Sequence, residues 1–291
     1  MNIQSGLKEA IYKKGAFMEY SPKKIKENLE KENFNLKKKF GQNFIIDENI
    51  IDSIINKAEI DATTLVLEIG PGAGSLTYKL AKKAKNILCY EIDVTLKEIL
   101  KNNLQEFNNV DIIYEDFLKA DVINQIKKYN FEKLYVVANL PYYITTPILI
   151  KLVEDQITVD KIVVMVQKEV GDRFKAKPNS RDYNSLSVYL NYYFNVKKLL
   201  DVSRNVFIPK PNVDSIVVEF TKKERKKLKD EQLFFKLVRD SFKQKRKNLR
   251  NNLNGYDLDK IEEVLKKYNF DLTTRAEQLD IDIFIDIANN L

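Results

Sequence analysis

Short apolar runs alternate with amphipathic stretches through the middle of this chain. Five of the runs are followed directly by turn or polar residues, and we predict a β-strand at each: residues 65–69, 87–92, 110–114, 134–138 and 162–166. Helical patterns separate these runs, and this alternation predicts a parallel, doubly wound sheet. The continuous apolar runs predict strands that are buried on both faces. A later run, residues 213–220, alternates apolar and polar positions and predicts a closing strand.

The two ends of the chain have different patterns. The first 36 residues are polar, carry several lysines and predict a basic arm. Beyond residue 222, amphipathic stretches predict helices at residues 231–242, 258–268 and 283–291. We therefore predict three regions: an N-terminal arm at 1–36, an α/β domain at 37–222 and a small helical domain at 223–291.

The residue composition removes several kinds of site. The 291-residue chain has no histidine, which excludes histidine metal ligands, histidine general bases and Ser-His-Asp triads. Its single cysteine, Cys89, lies in an apolar run and has no disulfide partner within the chain. We therefore expect no metal centre and a reducing, cytoplasmic setting.

We expect no membrane-spanning segment. The N-terminus lacks the continuous apolar block of a signal peptide. The longest uncharged stretch, residues 134–150, is interrupted by Asn139, Pro141 and Pro147. We interpret this stretch as a strand, a loop and the start of a helix.

The net charge of +7 is concentrated in one segment. Residues 221–250 hold thirteen Lys or Arg against four Asp or Glu, a net of +9, so the rest of the chain sums to −2. A charge run is most often a solvated surface. Because the whole excess lies here, interleaved with three phenylalanines, the segment favours a nucleic-acid partner over a membrane. The cations predicted to bind substrate are Lys245, Arg246 and Lys247.

Ligand-competent residues follow four successive predicted strands. Three glycines in residues 70–74 follow the first strand and precede a helix, where the backbone can approach a ligand closely. Glu91 ends the second strand, Asp116 follows the third and Asn139 the fourth. Open α/β sheets bind ligands at these carboxyl ends, and an acid at the position of Glu91 suits a ribose hydroxyl pair. Asp93 is the alternative acid, although its position suits a helix N-cap.

The segment Asn139-Leu140-Pro141-Tyr142 has the residue types that suit a planar ring with an exocyclic amine. The Asn139 amide oxygen can accept a hydrogen bond from the amine, and Tyr142 can stack on the ring. Pro141 fixes the backbone and has no N–H, so nearby carbonyls can point at a ligand. We predict that these four residues form the catalytic motif.

Several motifs together resemble one family, the rRNA adenine N6,N6-dimethyltransferases of KsgA type. Residues 68–77 look like the first motif of S-adenosylmethionine-dependent methyltransferases, and 139–142 resemble the fourth motif of those that methylate an adenine amine. Further stretches similar to the family lie at 41–44, 167–170, 183–188, 209–215, 246–253 and 275–277. The resemblance covers about residues 36 to 291.

The resemblance implies a Rossmann-like class I methyltransferase sheet with a small C-terminal helical domain. It implies S-adenosyl-L-methionine as cofactor, S-adenosyl-L-homocysteine as product, and contacts to the cofactor from Asn43, Ile45, Gly70, Glu91, Asp116 and Asn139. In this family Glu91 would hold the ribose and Asp116 the adenine amine of the cofactor. Tyr142 would stack on the target base, with Phe207 as a candidate second stacking ring.

The implied substrate is 16S rRNA in the small ribosomal subunit. The implied products are N6,N6-dimethyladenosines at two adjacent adenosines in a loop near its 3′ end, with a role in subunit biogenesis, and we expect a monomer. Two alternatives stay open: a related methyltransferase of large-subunit rRNA, and a non-catalytic RNA-binding assembly factor on the same fold. The Gly-x-Gly-x-Gly spacing disfavours a dehydrogenase, whose glycines follow Gly-x-Gly-x-x-Gly.

Overall fold

The computed structural model describes residues 42–291, so the predicted arm at 1–36 and the first residues of the predicted α/β domain lie outside the described part. The strands in this part are β1 Phe44–Ile45, β2 Thr64–Ile69, β3 Asn86–Tyr90, β4 Val110–Ile113, β5 Lys133–Asn139, β6 Lys161–Gln167, β7 Phe194–Val202, β8 Phe207–Ile208 and β9 Ser215–Lys222. The α-helices are α1 Glu48–Ala58, α2 Ser75–Ala81, α3 Lys97–Leu104, α4 Val122–Ile126, α5 Thr145–Glu154, α6 Lys168–Phe174, α7 Ser185–Tyr193, α8 Glu231–Ser241, α9 Leu249–Asn252, α10 Leu258–Lys267 and α11 Ile281–Asn290. Short 3₁₀ turns occur at Val94–Leu96, Tyr142–Ile144, Arg204–Val206 and Ala276–Gln278.

Seven strands form one twisted sheet in the order β4-β3-β2-β5-β6-β9-β7. The five strands from β4 to β6 are parallel, as the alternation of strands and helices predicted. The predicted closing strand is β9, which begins two residues later than expected and runs antiparallel between β6 and β7. A separate two-residue pair joins β1 to β8.

Helices cover both faces of the sheet because successive strand residues point to opposite sides. One face packs its apolar residues, Val66, Cys89 and Val137 among them, against α1 and α2. The other face, which includes Leu67 and Val136, packs against α5, α6 and α7. This is the doubly wound arrangement that the buried strands predicted.

The C-terminal part is helical, as predicted. Helices α8 and α11 contact each other and α7, and α10 packs on α11. Their buried residues, such as Phe234 and Phe284, belong to the same continuous apolar cluster as the sheet residues beneath α7. Because the two parts share a core, the division at residue 222 stays a prediction even though β9 ends there.

Two local features define helix starts. Asp47 caps α1, since its Oδ1 accepts hydrogen bonds from the backbone N–H groups of Asn49 and Ile50. The uncharged stretch 134–150 is a strand, a 3₁₀ turn and a helix start, as interpreted. Among residues 42–291, no helix has the length and apolar character needed to cross a membrane.

Candidate active site

A cavity opens at the carboxyl ends of β2, β3 and β5. Its volume is about 930 Å³, counting the space at its open mouth. The predicted residues that line it are Asn43, Ile45, Gly70, Glu91, Asp116, Asn139, Leu140, Pro141 and Tyr142. The structure therefore brings together every predicted cofactor residue and the whole predicted catalytic motif.

The glycine turn forms the floor of this cavity. The Gly70 N–H donates to the Tyr90 carbonyl at 2.8 Å, which fixes the exit of β2 beside the end of β3. Gly72 has a φ of +60°, which disfavours a side chain. A Cβ there would also lie 2.8 Å from Cε1 of Phe44, so the turn passes close beneath the segment that carries Asn43. Only glycine at position 72 allows the turn to pass this close to Phe44.

Glu91 is held rigidly at the cavity wall. It directly follows β3 and is 4% exposed. Its Oε2 accepts from the Gly72 N–H at 3.0 Å, and its Oε1 accepts from the Asp93 N–H at 2.8 Å. Burial raises the pKa of Glu91, and these backbone bonds oppose that rise. Each carboxylate oxygen has further acceptor capacity, so the anchored group can also accept from ligand hydroxyls.

The competing acid, Asp93, has the capping role that its position suggested. Its Oδ1 accepts from the Thr95 N–H at 3.2 Å and caps the 3₁₀ turn Val94–Leu96. Its Oδ2 accepts from Nε2 of Gln42 at 2.9 Å, which ties the segment before β1 to the cavity wall. On the neighbouring wall, Asp116 accepts from the Leu118 N–H at 3.0 Å and lines the cavity.

The Asn139 side chain is oriented by a backbone carbonyl. Its Nδ2 donates to the Asn43 carbonyl at 2.9 Å. This bond engages the amide nitrogen, so the amide oxygen is the atom suited to accept from a ligand amine. The Leu140 N–H donates to the Met165 carbonyl at 3.2 Å, and the Pro141 carbonyl accepts from the Ile144 N–H at 3.2 Å. The motif is thus a fixed turn with its acceptors placed in advance.

Comparison with known proteins identifies the family. The family model described as "Ribosomal RNA adenine dimethylase" matches residues 33–291. The chain belongs to the ribosomal RNA adenine dimethylase family. Proteins named "Ribosomal RNA small subunit methyltransferase A" from Bacillus mycoides (strain KBAB4) and Bacillus cereus (strain B4264) are each 45% identical over 282 residues, covering 93% of this chain and 96% of the relative.

One solved structure agrees with this membership, and a second shares the fold. A dimethyladenosine transferase from Plasmodium falciparum has 27% identity and a TM-score of 0.70, covering 84% of this chain and 95% of that one. The 23S rRNA methyltransferase ErmE, at 24% identity, shares the fold with a TM-score of 0.64 over 85% of this chain and 99% of its own.

The matches to the two Bacillus proteins cover 93% of this chain. This is more than residues 37–291 alone, so the similarity extends into the arm that the motifs left unexplained.

Membership in the adenine dimethylase family implies a methyl donor of the S-adenosylmethionine type. The residues that line the cavity have the chemical groups needed to bind such a methyl donor. The glycine turn allows close approach of a ligand, Glu91 offers carboxylate acceptors for hydroxyls, and Asp116 offers acceptors for an amine. The apolar side chain of Ile45 completes the wall beside Asn43.

Four expected substrate-binding residues lie outside the cavity. Phe207 is 2% exposed and packs in the core beside α1, because β8 pairs with β1. The structure therefore does not place the Phe207 ring in the cavity, and its stacking on the target base stays a prediction. The three cations are exposed on the loop after α8: Lys245, Arg246 and Lys247.

Tyr143 is a cavity residue of this family member that the sequence reasoning missed. Its ring lines the mouth of the cavity and is 56% exposed. Burial of part of the ring raises the pKa of Tyr143, and the charges of Asp116 and Glu91 add to the rise. The doubled tyrosine after Pro141 was the available signal. We regard the exposed ring as the better candidate for a second aromatic contact than Phe207.

Glu68 is a second cavity residue without an assigned role, and it predicts a pH dependence of stability. Burial raises the pKa of Glu68 to about 8, from an ordinary value of 4.5. Between these values the folded state binds more protons than the unfolded state, so the free energy of unfolding falls as pH rises, by about 1.4 kcal/mol per pH unit at most. We expect Glu68→Gln to remove this decline and to be stabilised relative to the parent at pH 8 but not at pH 4.5.

Denaturant unfolding of both proteins from pH 4 to pH 9 measures this difference. Glu98→Gln is the matched control, because it makes the same change at an exposed position on α3. Parallel stability curves for the parent and Glu68→Gln would show that Glu68 is ionised alike in both states, against our expectation.

Proposed function

We propose that this protein transfers methyl groups from S-adenosyl-L-methionine to the N6 amines of two adjacent adenosines in a loop near the 3′ end of 16S rRNA. The products are N6,N6-dimethyladenosines, formed during small-subunit biogenesis. The names of the 45% identical relatives and of the family support the reaction and the subunit. The observation that carries the proposal is the Asn139 amide, fixed by the Asn43 carbonyl at the wall of the cavity.

One group of cavity residues binds the cofactor, and a second group positions the target amine. Glu91, anchored by two backbone N–H groups, binds the ribose hydroxyls of the cofactor, and Asp116 binds its adenine amine. Gly70, Ile45 and Asn43 border the same space. When bound, S-adenosyl-L-methionine supplies an electrophilic methyl group on a sulfonium. The remaining residues position the amine that receives it.

Asn139 and the Leu140 carbonyl make the target amine a better nucleophile. The lone pair of an adenine amine is delocalised into the ring. Hydrogen bonds from the amine to two oxygen acceptors favour a more tetrahedral nitrogen and return the lone pair to it. The second methylation starts from an amine with one hydrogen, so one acceptor then loses its partner. No side-chain base is needed, since the positively charged product nitrogen loses its proton readily to water.

Tyr142 holds the base in place by stacking on it. An adenine must leave the helical stack to reach a cavity at the end of a sheet, which favours a loop as substrate. Stacking of a base on an aromatic side chain contributes roughly 1–3 kcal/mol and replaces part of the lost base stacking. Tyr143 at the mouth of the cavity offers a second ring surface.

The loop after α8 is proposed to bind phosphates beside the target. Nδ2 of Asn252 donates to the carbonyls of Ser241, Gln244 and Lys247, so the loop has a defined shape. Changing Lys245, Arg246 and Lys247 together to alanine should weaken RNA binding and lower the slope of log affinity against log salt by about 2 to 3, because each phosphate contact releases roughly one counterion. Binding titrations at four salt concentrations measure this slope.

The matched control changes three exposed lysines beside the opposite edge of the sheet: Lys101, Lys127 and Lys128. This variant has the same net charge, so a common loss of slope in both triple variants would mean that overall charge, not the loop, binds the RNA. Three further expectations stay predictions. They are a methyltransferase domain at residues 37–222 with a separate RNA-binding domain at 223–291, a cytoplasmic location, and a monomeric state.

The direct test incubates the protein with radiolabelled S-adenosyl-L-methionine and undermethylated small subunits, followed by digestion of the RNA. We expect labelled N6,N6-dimethyladenosine from 16S rRNA. Label in 23S rRNA alone, from a parallel incubation with large subunits, would support the large-subunit alternative. Absence of label, with no binding of S-adenosyl-L-homocysteine, would leave the assembly-factor alternative.

A further inference from the structure

A hydrogen bond ties Tyr142 to the antiparallel end of the sheet. The hydroxyl of Tyr142 lies 2.7 Å from Oγ of Ser215, the first residue of β9. We propose that Ser215 is a positioning residue, which holds the Tyr142 ring at the angle at which it stacks on the target adenine. This inference rests on the methyl transfer proposed above and adds a residue that acts through Tyr142.

Ser215 is a rigid anchor. It is 0% exposed, and its backbone lies between Gln167 of β6 and Val202 of β7. The preceding residue, Asp214, is also fixed: its Oδ1 accepts from the Arg204 N–H at 3.0 Å, and its carbonyl accepts from the Lys168 N–H at 3.0 Å. The serine hydroxyl therefore has little freedom to follow a moving tyrosine.

The Tyr142 side chain is fixed at its backbone and at its hydroxyl, so it cannot rotate freely. The Tyr142 backbone is fixed by the turn after Pro141, and the ring lies between Cβ and the hydroxyl. Rotation about χ1 would carry the hydroxyl away from Ser215, so the bond selects one rotamer. The ring faces take no part in this bond.

The pairing also explains a motif that the cavity does not use. Residues 209–215 resemble a family motif, yet none of them lines the cavity. A buried hydroxyl without a partner is unfavourable, and here the two hydroxyls satisfy each other. The motif thus places the Ser215 hydroxyl within hydrogen-bond distance of the Tyr142 hydroxyl.

A double-mutant cycle tests the assignment with Ser215→Ala, Tyr142→Phe and the two combined. The readouts are the single-turnover rate of adenine methylation and the affinity for S-adenosyl-L-homocysteine. Because both single changes remove the same hydrogen bond, we expect each to slow transfer by roughly 5- to 10-fold, and the double variant to be no slower than the singles. Cofactor affinity should stay at the parent value, which separates a tilted ring from a damaged cavity.

Ser241→Ala is the matched control, since Ser241 is 1% exposed and donates its hydroxyl to the Leu237 carbonyl at 2.7 Å in α8. Its rate should equal that of the parent. A parent-like rate for either single variant, or multiplied effects in the double variant, would overturn the role of Ser215 alone. A parent protein that methylates no adenine would instead overturn the proposed function, and the positioning role with it. Tyr142→Phe removes the same hydrogen bond by deleting the tyrosine hydroxyl. It therefore tests the positioning role even if Ser215→Ala does not fold.

Discussion

Replacement of Asn139 by alanine is expected to slow methyl transfer by roughly 10²–10³-fold, the usual effect of removing one fixed polar group aimed at developing charge. The substitution removes the oxygen proposed to accept from the target amine, and it also removes the bond from Nδ2 to the Asn43 carbonyl. The first loss acts on the reacting nitrogen, whereas the second loosens the segment before β1. We therefore expect a large fall in the single-turnover rate and a smaller fall in cofactor affinity.

Asn109→Ala is the control for the loss of an amide. Its Nδ2 donates to the carbonyls of Ala81 and Ala84 at 3.0 and 3.1 Å, outside the cavity. It should lower stability without changing the rate per folded molecule. Near-normal turnover of Asn139→Ala, with thermal unfolding like that of the parent, would refute the assigned role of the amide oxygen.

Glu91→Gln is expected to weaken binding of S-adenosyl-L-homocysteine by roughly 10- to 100-fold, because hydrogen bonds to a charged group contribute about 1.5–3 kcal/mol. Glutamine keeps the shape of the side chain but replaces one acceptor oxygen with a donor. That donor would face the N–H of either Gly72 or Asp93, which the carboxylate now accepts. The wall of the cavity would shift, and a ribose would lose one of its acceptors.

Isothermal titration calorimetry measures this affinity, and Glu98→Gln serves as the exposed control for the loss of one negative charge. The control should bind like the parent. If Glu91→Gln also binds like the parent, the ribose is held elsewhere and the assignment of this acid fails.

The positions at strand ends could be predicted from the sequence because they depend on local pattern. Apolar runs locate the parallel strands, and the residues after them share one edge of the sheet. Glu91, Asp116 and Asn139 accordingly line one cavity. Strand ends shifted by one or two residues, for example from 92 to Tyr90 in β3, without moving the cavity.

Contacts between distant residues could not be predicted in the same way. The bond from Asn139 to Asn43 spans 96 positions, and that from Tyr142 to Ser215 spans 73. The burial of Phe207 follows from the pairing of two-residue strands, which are too short to leave a periodic pattern. Strand β7 was also missed, because it directly follows α7 and carries exposed lysines at an edge of the sheet.

The placement of β9 between β6 and β7 has a consequence for synthesis of the protein. Until residues 215–222 have emerged, β6 has an open edge and β7 has no partner in the sheet. An open edge of this kind can pair with other chains. Pairing of β9 with the much earlier β6 also requires closure of a long loop, which makes this step slow. The hydrogen-bond partner of Tyr142 is therefore absent from every shorter nascent chain, and release of an incomplete chain would leave the proposed substrate site without Ser215.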